Sequence, residues 1–348
     1  MNKVIKRILL SLNILLVLMT LGAYAAPYIS AEDSALFPIL GLGYPVLLLC
    51  NVIAVIVWLL AYRKYTWLSI ITLILGYGSC TKLINVSLPD QNVNASFRVA
   101  TYNSNFLKPI AFTEENKRPA LEKAFEEYLH ALDLDVLCVQ EHGWRTEQHI
   151  EEALDFEYKH EVENMTVAIY SRFPFIATGI VDFDSNVANT CIWADLLIHG
   201  DTIRVYTTHL ESNRETGTVP EVIEQEAPER MDNLALFGIV RHFQKFSAAR
   251  VEQARRIQAH KMTAPYPVVI CGDLNDTPQS YVYTIARGDM QDSFLEEGLG
   301  MGSTFGERIP ALRIDYIFAD EAIEVLDHDI NRSQYSDHYV VISQLVVD

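Results

Sequence analysis

Three long apolar runs open the chain: Ile8–Ala26, Ala35–Tyr62 and Tyr65–Cys80. None shows the alternation of a strand or the one-sided stripe of a surface helix. A helix needs about 20 apolar residues to cross a bilayer core, with a range of roughly 17–25. The first two runs meet that length, and the third meets it only with its flanks. The pattern predicts about three transmembrane helices within residues 1–90. Beyond a polar, turn-rich linker at Leu88–Ser96 the pattern changes. Short β-type runs alternate with helical stretches: Phe97–Tyr102, Val136–Gln140, Val167–Tyr170, Thr190–Ile198, Thr202–Thr208, Val268–Cys271, Asp315–Phe318 and Tyr339–Val347 read as strands. Thr113–Leu132 and Asp232–Lys261 read as helices, the second with Arg250, Gln253, Ala254 and Ile257 on one face. Interleaved strands and helices over residues 91–348 predict a layered α/β domain.

Charge divides at the same place. Residues 1–90 carry six basic and three acidic side chains, a net of +3 against −18 for the whole chain, which leaves −21 on residues 91–348. A surface that acidic repels polyanions and argues against a general nucleic-acid binder. In the apolar part, Lys3, Lys6 and Arg7 precede the first run, and Arg63 and Lys64 separate the second from the third. Both clusters mark the cytoplasmic side. Three crossings then place residues 91–348 outside the cytoplasm, in an inner or plasma membrane. Ala23-Tyr24-Ala25 also resembles a signal-peptide cleavage site; cleavage there would leave a hairpin and the same final side. No charge lies within the runs, so they offer no transport pathway. The five cysteines form no CxxC pair and carry no zinc signature. Cys138 and Cys271 sit in apolar strand runs, as buried small hydrophobes do.

Polar residues stand where the apolar strands end. Asn103 follows FRVATY, Glu141 follows DVLCVQ, and His209 ends RVYTTH. Asp273 and Asn275 follow PVVICG, Asp315 lies in RIDYIF, and Asp337 and His338 lie in YSDHY. A sheet presents such residues to one cleft. Glu141 and Asp337 offer carboxylates and Asn103 a neutral oxygen, the donors a hard cation such as Mg²⁺ takes. Phosphoester hydrolysis needs that charge and an aimed water. His338 can accept a proton near neutral pH, Asp315 can fix its tautomer, and His209 can hydrogen-bond a phosphate oxygen. Asp273 and Asn275, two apart on an extended strand, are expected to point the same way.

Taken together, TYNSNF, VQEH, THLES, GDLNDTP, RIDYIF and SDH resemble the endonuclease/exonuclease/phosphatase superfamily over residues 97–346. That group includes pancreatic-type deoxyribonuclease, abasic-site endonucleases, inositol-polyphosphate 5-phosphatases and bacterial sphingomyelinases. The resemblance implies a four-layer α-β-β-α sandwich of two mixed sheets and Mg²⁺ or Mn²⁺ at Glu141, with Asn103 and Asp337 nearby. It implies His338 paired with Asp315, and Asp273 and Asn275 positioning the nucleophile and the scissile phosphate. His338 is favoured over Asp273 as acceptor of the water proton. His209 matches the deoxyribonuclease, sphingomyelinase and inositol-phosphatase pattern rather than the abasic-site one. Its acidic partner is expected near Glu161 or Glu163. The function expected is a membrane-anchored phosphodiesterase or phosphomonoesterase acting on a lipid headgroup or small phosphoester. The alternatives are an envelope or secreted nuclease and, behind both, a non-catalytic sensor. Specificity is expected in the loops Ser212–Glu229 and Gly298–Pro310.

Overall fold

A computed structural model describes residues 3–87, 95–183, 189–212, 233–306 and 312–347. Most of the linker (residues 88–94), nearly all of the expected loop Ser212–Glu229 (residues 213–229) and the end of the loop Gly298–Pro310 (residues 307–310) lie outside the described residues. The chain divides into two compact units, one of residues 1–83, 212–251 and 276–285, the other of residues 84–211, 252–275 and 286–348.

In the first unit the apolar runs form helices α1 (Lys3–Ala25), α2 (Leu36–Leu42), α3 (Tyr44–Ala61), α4 (Thr66–Leu75) and α5 (Tyr77–Thr81). Two, Lys3–Tyr28 and Tyr44–Ala61, are long and apolar enough by length and composition to cross a membrane. The expectation of about three such helices is met at only two, because the third run breaks at Gly76. The Tyr24 phenol of α1 fills the space beside Gly76, where any side chain would overlap it. Its hydroxyl donates to the Thr72 carbonyl at 3.0 Å. The helices bury polar groups and expose apolar ones. Asn51 donates to Thr20 Oγ1 at 2.8 Å, and Ser69 donates to Asn13 Oδ1 at 2.9 Å. Ile8, Leu12, Leu15 and Leu18 of α1 and Leu49, Ile53, Ile56 and Leu60 of α3 face outward. That distribution reverses the one water imposes.

The second unit contains fourteen strands among the described residues: β1 (Ile84–Val86), β2 (Phe97–Asn103), β3 (Val136–Gln140), β4 (Tyr158–Glu161), β5 (Val167–Ser171), β6 (Phe175–Val181), β7 (Thr190–Ile198), β8 (Asp201–His209), β9 (Val268–Asp273), β10 (Gln291–Asp292), β11 (Leu299–Met301), β12 (Asp315–Ala319), β13 (Ile323–Asn331) and β14 (Val340–Val347). Two six-stranded sheets run β13-β14-β2-β3-β5-β4 and β10-β12-β9-β8-β7-β6. Each is mixed: β2 and β3 pair parallel in the first, β8 and β9 in the second, and the other pairs are antiparallel. Alternate side chains face inward from both sheets and make one core, with Val99, Val136, Cys138 and Ile169 on one side and Ile192, Val205, Cys271 and Ile317 on the other.

Helix α6 (Lys108–Ala111) leads to α7 (Arg118–Ala131) and α8 (Trp144–Ala153). Phe125, Leu129 and Ile150 of the last two pack on the outer face of the first sheet, against Tyr102, Leu137 and Val139. Helix α7 starts later than the expected Thr113, because Pro119 occupies its first turn, where a missing N–H costs nothing. On the second sheet, Tyr206 of β8 hydrogen-bonds His260, near the end of α9 (Asn233–Lys261), at 2.8 Å. Two mixed sheets flanked by helices are the layered α/β architecture expected. Arg250, Gln253, Ala254 and Ile257 are all buried, as their helical spacing predicts.

Candidate active site

Register brings the polar strand ends together. In the second sheet His209 of β8 pairs with Asp273 of β9, and Asp273 with Asp315 of β12, so three functional side chains end three adjacent strands on one line. In the first sheet Asn103 of β2 pairs with Gln140 of β3, and Glu141 comes next. Asn103 links the two sheets: its Nδ2 donates to Asp273 Oδ2 at 3.0 Å and to Glu141 Oε1 at 3.3 Å. The approach of β8 and β9 depends on Gly272, whose φ is +146 and where a Cβ would overlap the Thr208 carbonyl oxygen.

Asp337 and His338 arrive on the turn before β14. The Ser336 hydroxyl donates to the Asn103 carbonyl at 2.8 Å and accepts from the His338 N–H at 3.1 Å. His338 Nδ1 lies 3.0 and 3.1 Å from the two oxygens of Asp315. Nδ1 donates to that carboxylate, and Nε2 is turned into the cleft. There it stands 3.8 Å from Asp273 Oδ2, and His209 Nε2 stands 3.7 Å from the same oxygen. Burial opposes a charge on His338, but the carboxylates of Asp315 and Asp273 outweigh it and push its pKa up to about 10. Burial, then Asp315, pushes the Asp273 carboxyl upward, while His338 and His209 pull it down.

All eight sequence-predicted residues therefore converge, Asp337 through Asn105. The Asn105 Nδ2 donates to Asp337 Oδ1 at 2.8 Å, and the Asn105 N–H donates to Asn103 Oδ1 at 3.0 Å. The expected orientation of Asn275 is corrected. The strand stops at Asp273, whose own Oδ1 accepts the Asn275 N–H at 2.7 Å. That bond turns Asn275 into the left-handed region at φ +51. Its side chain donates to the Leu210 carbonyl, beside His209, at 3.0 Å. Glu161, one expected partner of His209, lies instead near His142 at 3.9 Å and Lys159 at 3.5 Å. Neither ring nitrogen of His209 has a hydrogen-bond partner among the described residues.

Two residues near the site were missed from sequence. Asn105 is the second asparagine of the quoted TYNSNF run and opens three consecutive left-handed residues, Asn105, Phe106 and Leu107. Lys108 brings Nζ to 4.0 Å from Glu141 Oε2. Lys108, Asn105, Phe112, Gly306, Asp337 and Tyr339 border a cavity of about 500 Å³.

The donor set suits a divalent cation. Glu141 stands at φ +47, a strained conformation that re-aims its carboxylate past the strand end. Lys108 Nζ and His209 Nε2 each stand 4.0 Å from its carboxylate. The Asn105 Oδ1 is buried without a hydrogen-bond partner among the described residues. Oxygen donors left unsatisfied in this way match a hard ion. Asp273, Asp315 and His338 also bring ligand atoms within 4.8 Å of one another, but the Nδ1–carboxylate bond commits His338 and Asp315 to each other.

Comparison with known proteins agrees with this geometry. Residues 6–83 match a model described as a domain of unknown function (DUF8431). Among curated proteins none matches. An endonuclease/exonuclease/phosphatase family protein from Bacteroides thetaiotaomicron is 18% identical, with a TM-score of 0.52 over 74% of this chain and 100% of that one. A mannosyl-6-phosphatase from the same species is 17% identical, with a TM-score of 0.51 over 72% and 100%. Humanized D. rerio TDP2 is 16% identical, with a TM-score of 0.54 over 73% and 100%. At these identities the likeness is one of fold. Residues 100–338, more than half of the chain, match the model described as the endonuclease/exonuclease/phosphatase family, and the chain belongs to that family.

Proposed function

We propose that the protein is a membrane-anchored, divalent-metal-dependent phosphoester hydrolase whose catalytic domain lies outside the cytoplasm. One observation carries the chemistry: the ends of β2, β3, β8, β9 and β12 bring an oxygen-rich set and two histidines to a single point. Glu141, with Asn103 and Asp337, would hold Mg²⁺ or Mn²⁺. When bound, such an ion neutralises charge on the phosphoryl oxygens. Asp273, oriented by Asn103 and the Asn275 N–H, aims the attacking water. Asp273 and His338, 3.8 Å apart, form the proton-handling pair, and Asp315 fixes the ring of His338. The unpartnered His209 is ready to donate to a phosphoryl oxygen.

Two observations support the anchor. The bundle of α1, α3 and α4 is polar inside and apolar outside. Lys6 Nζ lies over the rings of Tyr62 and Tyr65, at 5.1 and 5.3 Å, so both basic clusters stand at one end of the bundle. The run α4–α5 leaves that end and returns to Tyr24, at the far end of α1. By the positive-inside rule the chain emerges opposite the cytoplasm. Helix α1 supplies Asn13, Thr20 and Tyr24 to the bundle, which supports its retention rather than cleavage near Ala25.

The named relatives include a sugar phosphatase and TDP2, one structure of which is described as a complex with a single-strand DNA product. The acidic composition favours a lipid headgroup or small phosphoester, with the cavity beside Lys108 and Asp337 taking the group that bears the phosphate. The full chain in detergent, assayed with Mg²⁺ against phospholipids, inositol and sugar phosphates, nucleotides and DNA, tests this reading. Turnover of a lipid or small phosphoester supports it. Turnover of DNA alone, with steeply salt-dependent binding, establishes the nuclease instead. Metal binding with no turnover of any of them refutes catalysis.

A further inference from the structure

The first unit contains a segment that the chain reaches only after the catalytic strand β9. Residues 276–285 belong to it, and Asp276 directly follows Asn275. Three contacts hold this segment to residues 6–83, and a fourth holds it to α9. Gln279, 2% exposed, donates from Nε2 to the Ala23 carbonyl at the end of α1, at 2.9 Å. Lys82, just beyond α5, donates to the Pro278 carbonyl at 3.3 Å. Gly41 of α2 lies so close that a side chain there would overlap the Gln279 carbonyl oxygen. Asp276 pairs with the fully buried Arg250 at 3.3 Å.

These contacts bear on the turn just before them. Asn275 occupies a left-handed conformation that costs about 1 kcal/mol for a residue with a side chain. On one side it is held by the Asp273 carboxylate. On the other it continues into Asp276–Ser280, which the helices fix. Such a conformation persists only where its surroundings over-determine it. A tether alone needs no buried glutamine bonded to a helix carbonyl and no glycine cut to fit it.

We propose that the domain at residues 6–83 is a scaffold for the catalytic turn as well as an anchor, and that Gln279 is the positioning residue through which it acts. The proposal rests on the phosphoesterase reading only for its kinetic arm. The test uses the full chain in detergent, comparing the wild type with Gln279→Ala, Gly41→Ala and, as a control, the outward-facing Leu60→Ala. Turnover is measured at saturating Mg²⁺, together with backbone hydrogen exchange. We expect kcat to fall by about 10- to 100-fold in Gln279→Ala and Gly41→Ala with KM nearly unchanged, as for a misplaced catalytic group. Exchange should quicken at residues 274–280 and not across the β-sheets, and Leu60→Ala should match the wild type. Unchanged kcat in both variants overturns the proposal, as does protection lost evenly through the protein, which would mark a purely structural contact. If the wild type hydrolyses nothing, the functional reading fails separately. The exchange data then still decide whether the bundle fixes the turn.

Discussion

His338 and Asp315 form the pair on which the proposed chemistry depends most. Replacing His338 with alanine should lower turnover by about 10²- to 10⁴-fold. Circular dichroism checks that the fold survives the loss of this buried side chain, which stands just before β14. Asp315→Asn keeps the shape but removes the charge that holds the imidazolium, so the pKa of His338 should fall from about 10. A ¹⁵N-histidine titration reads that shift directly. The eight candidate residues were legible because each lies at or beside one end of an apolar strand, where a sheet hands side chains to a cleft. Asn105 and Lys108 were not, since they lie on a left-handed turn and a short helix that no alternation marks. Asn275 was misread for a related reason. The Asp273 carboxylate turns the backbone two residues on, a local bond that the alternation of the strand does not encode.

Among the elements, β8, β9 and β12 matter most, because their register sets His209, Asp273 and Asp315 in line. Gly272→Ala should separate β8 from β9 and destabilise the protein by roughly 1–3 kcal/mol, the cost of strain at a special backbone position. Activity should fall with it, and thermal melting beside an activity assay checks both. The strands that were missed explain themselves. In β13, IEVLDHDIN, charged residues break the apolar run, and β6 leaves Ile176 and Ile180 exposed. Helix α8, WRTEQHIEEA, is so polar that only Ile150 and a few neighbours anchor it. The third apolar run breaks at Gly76, where Tyr24, 52 residues earlier in the chain, takes the space a side chain would need. Hydropathy along the chain carries no record of such a contact.

At the scale of the whole molecule, two buried histidines predict acid sensitivity. Burial lowers His142 from 6.5 to about 4, and lowers His328 from 6.5 to about 3. Between those values and 6.5 the unfolded rings take up protons that the folded rings refuse, so stability falls as pH drops below about 6.5. The melting temperature in detergent should decline over that range, and His142→Gln with His328→Gln should flatten the decline. The proposed topology predicts that alkaline phosphatase fused at the C-terminus is active in whole cells, while a reporter that works only in the cytoplasm is silent there. The central claim is metal-dependent phosphoester hydrolysis at the point where the strands meet. Its most direct test is the rate at which the full chain hydrolyses a chromogenic phosphodiester and a phosphomonoester, with Mg²⁺ and with EDTA. Turnover of at least one, abolished by EDTA and restored by Mg²⁺, is the predicted result. Turnover that EDTA leaves untouched, or turnover retained by His338→Ala, would contradict it.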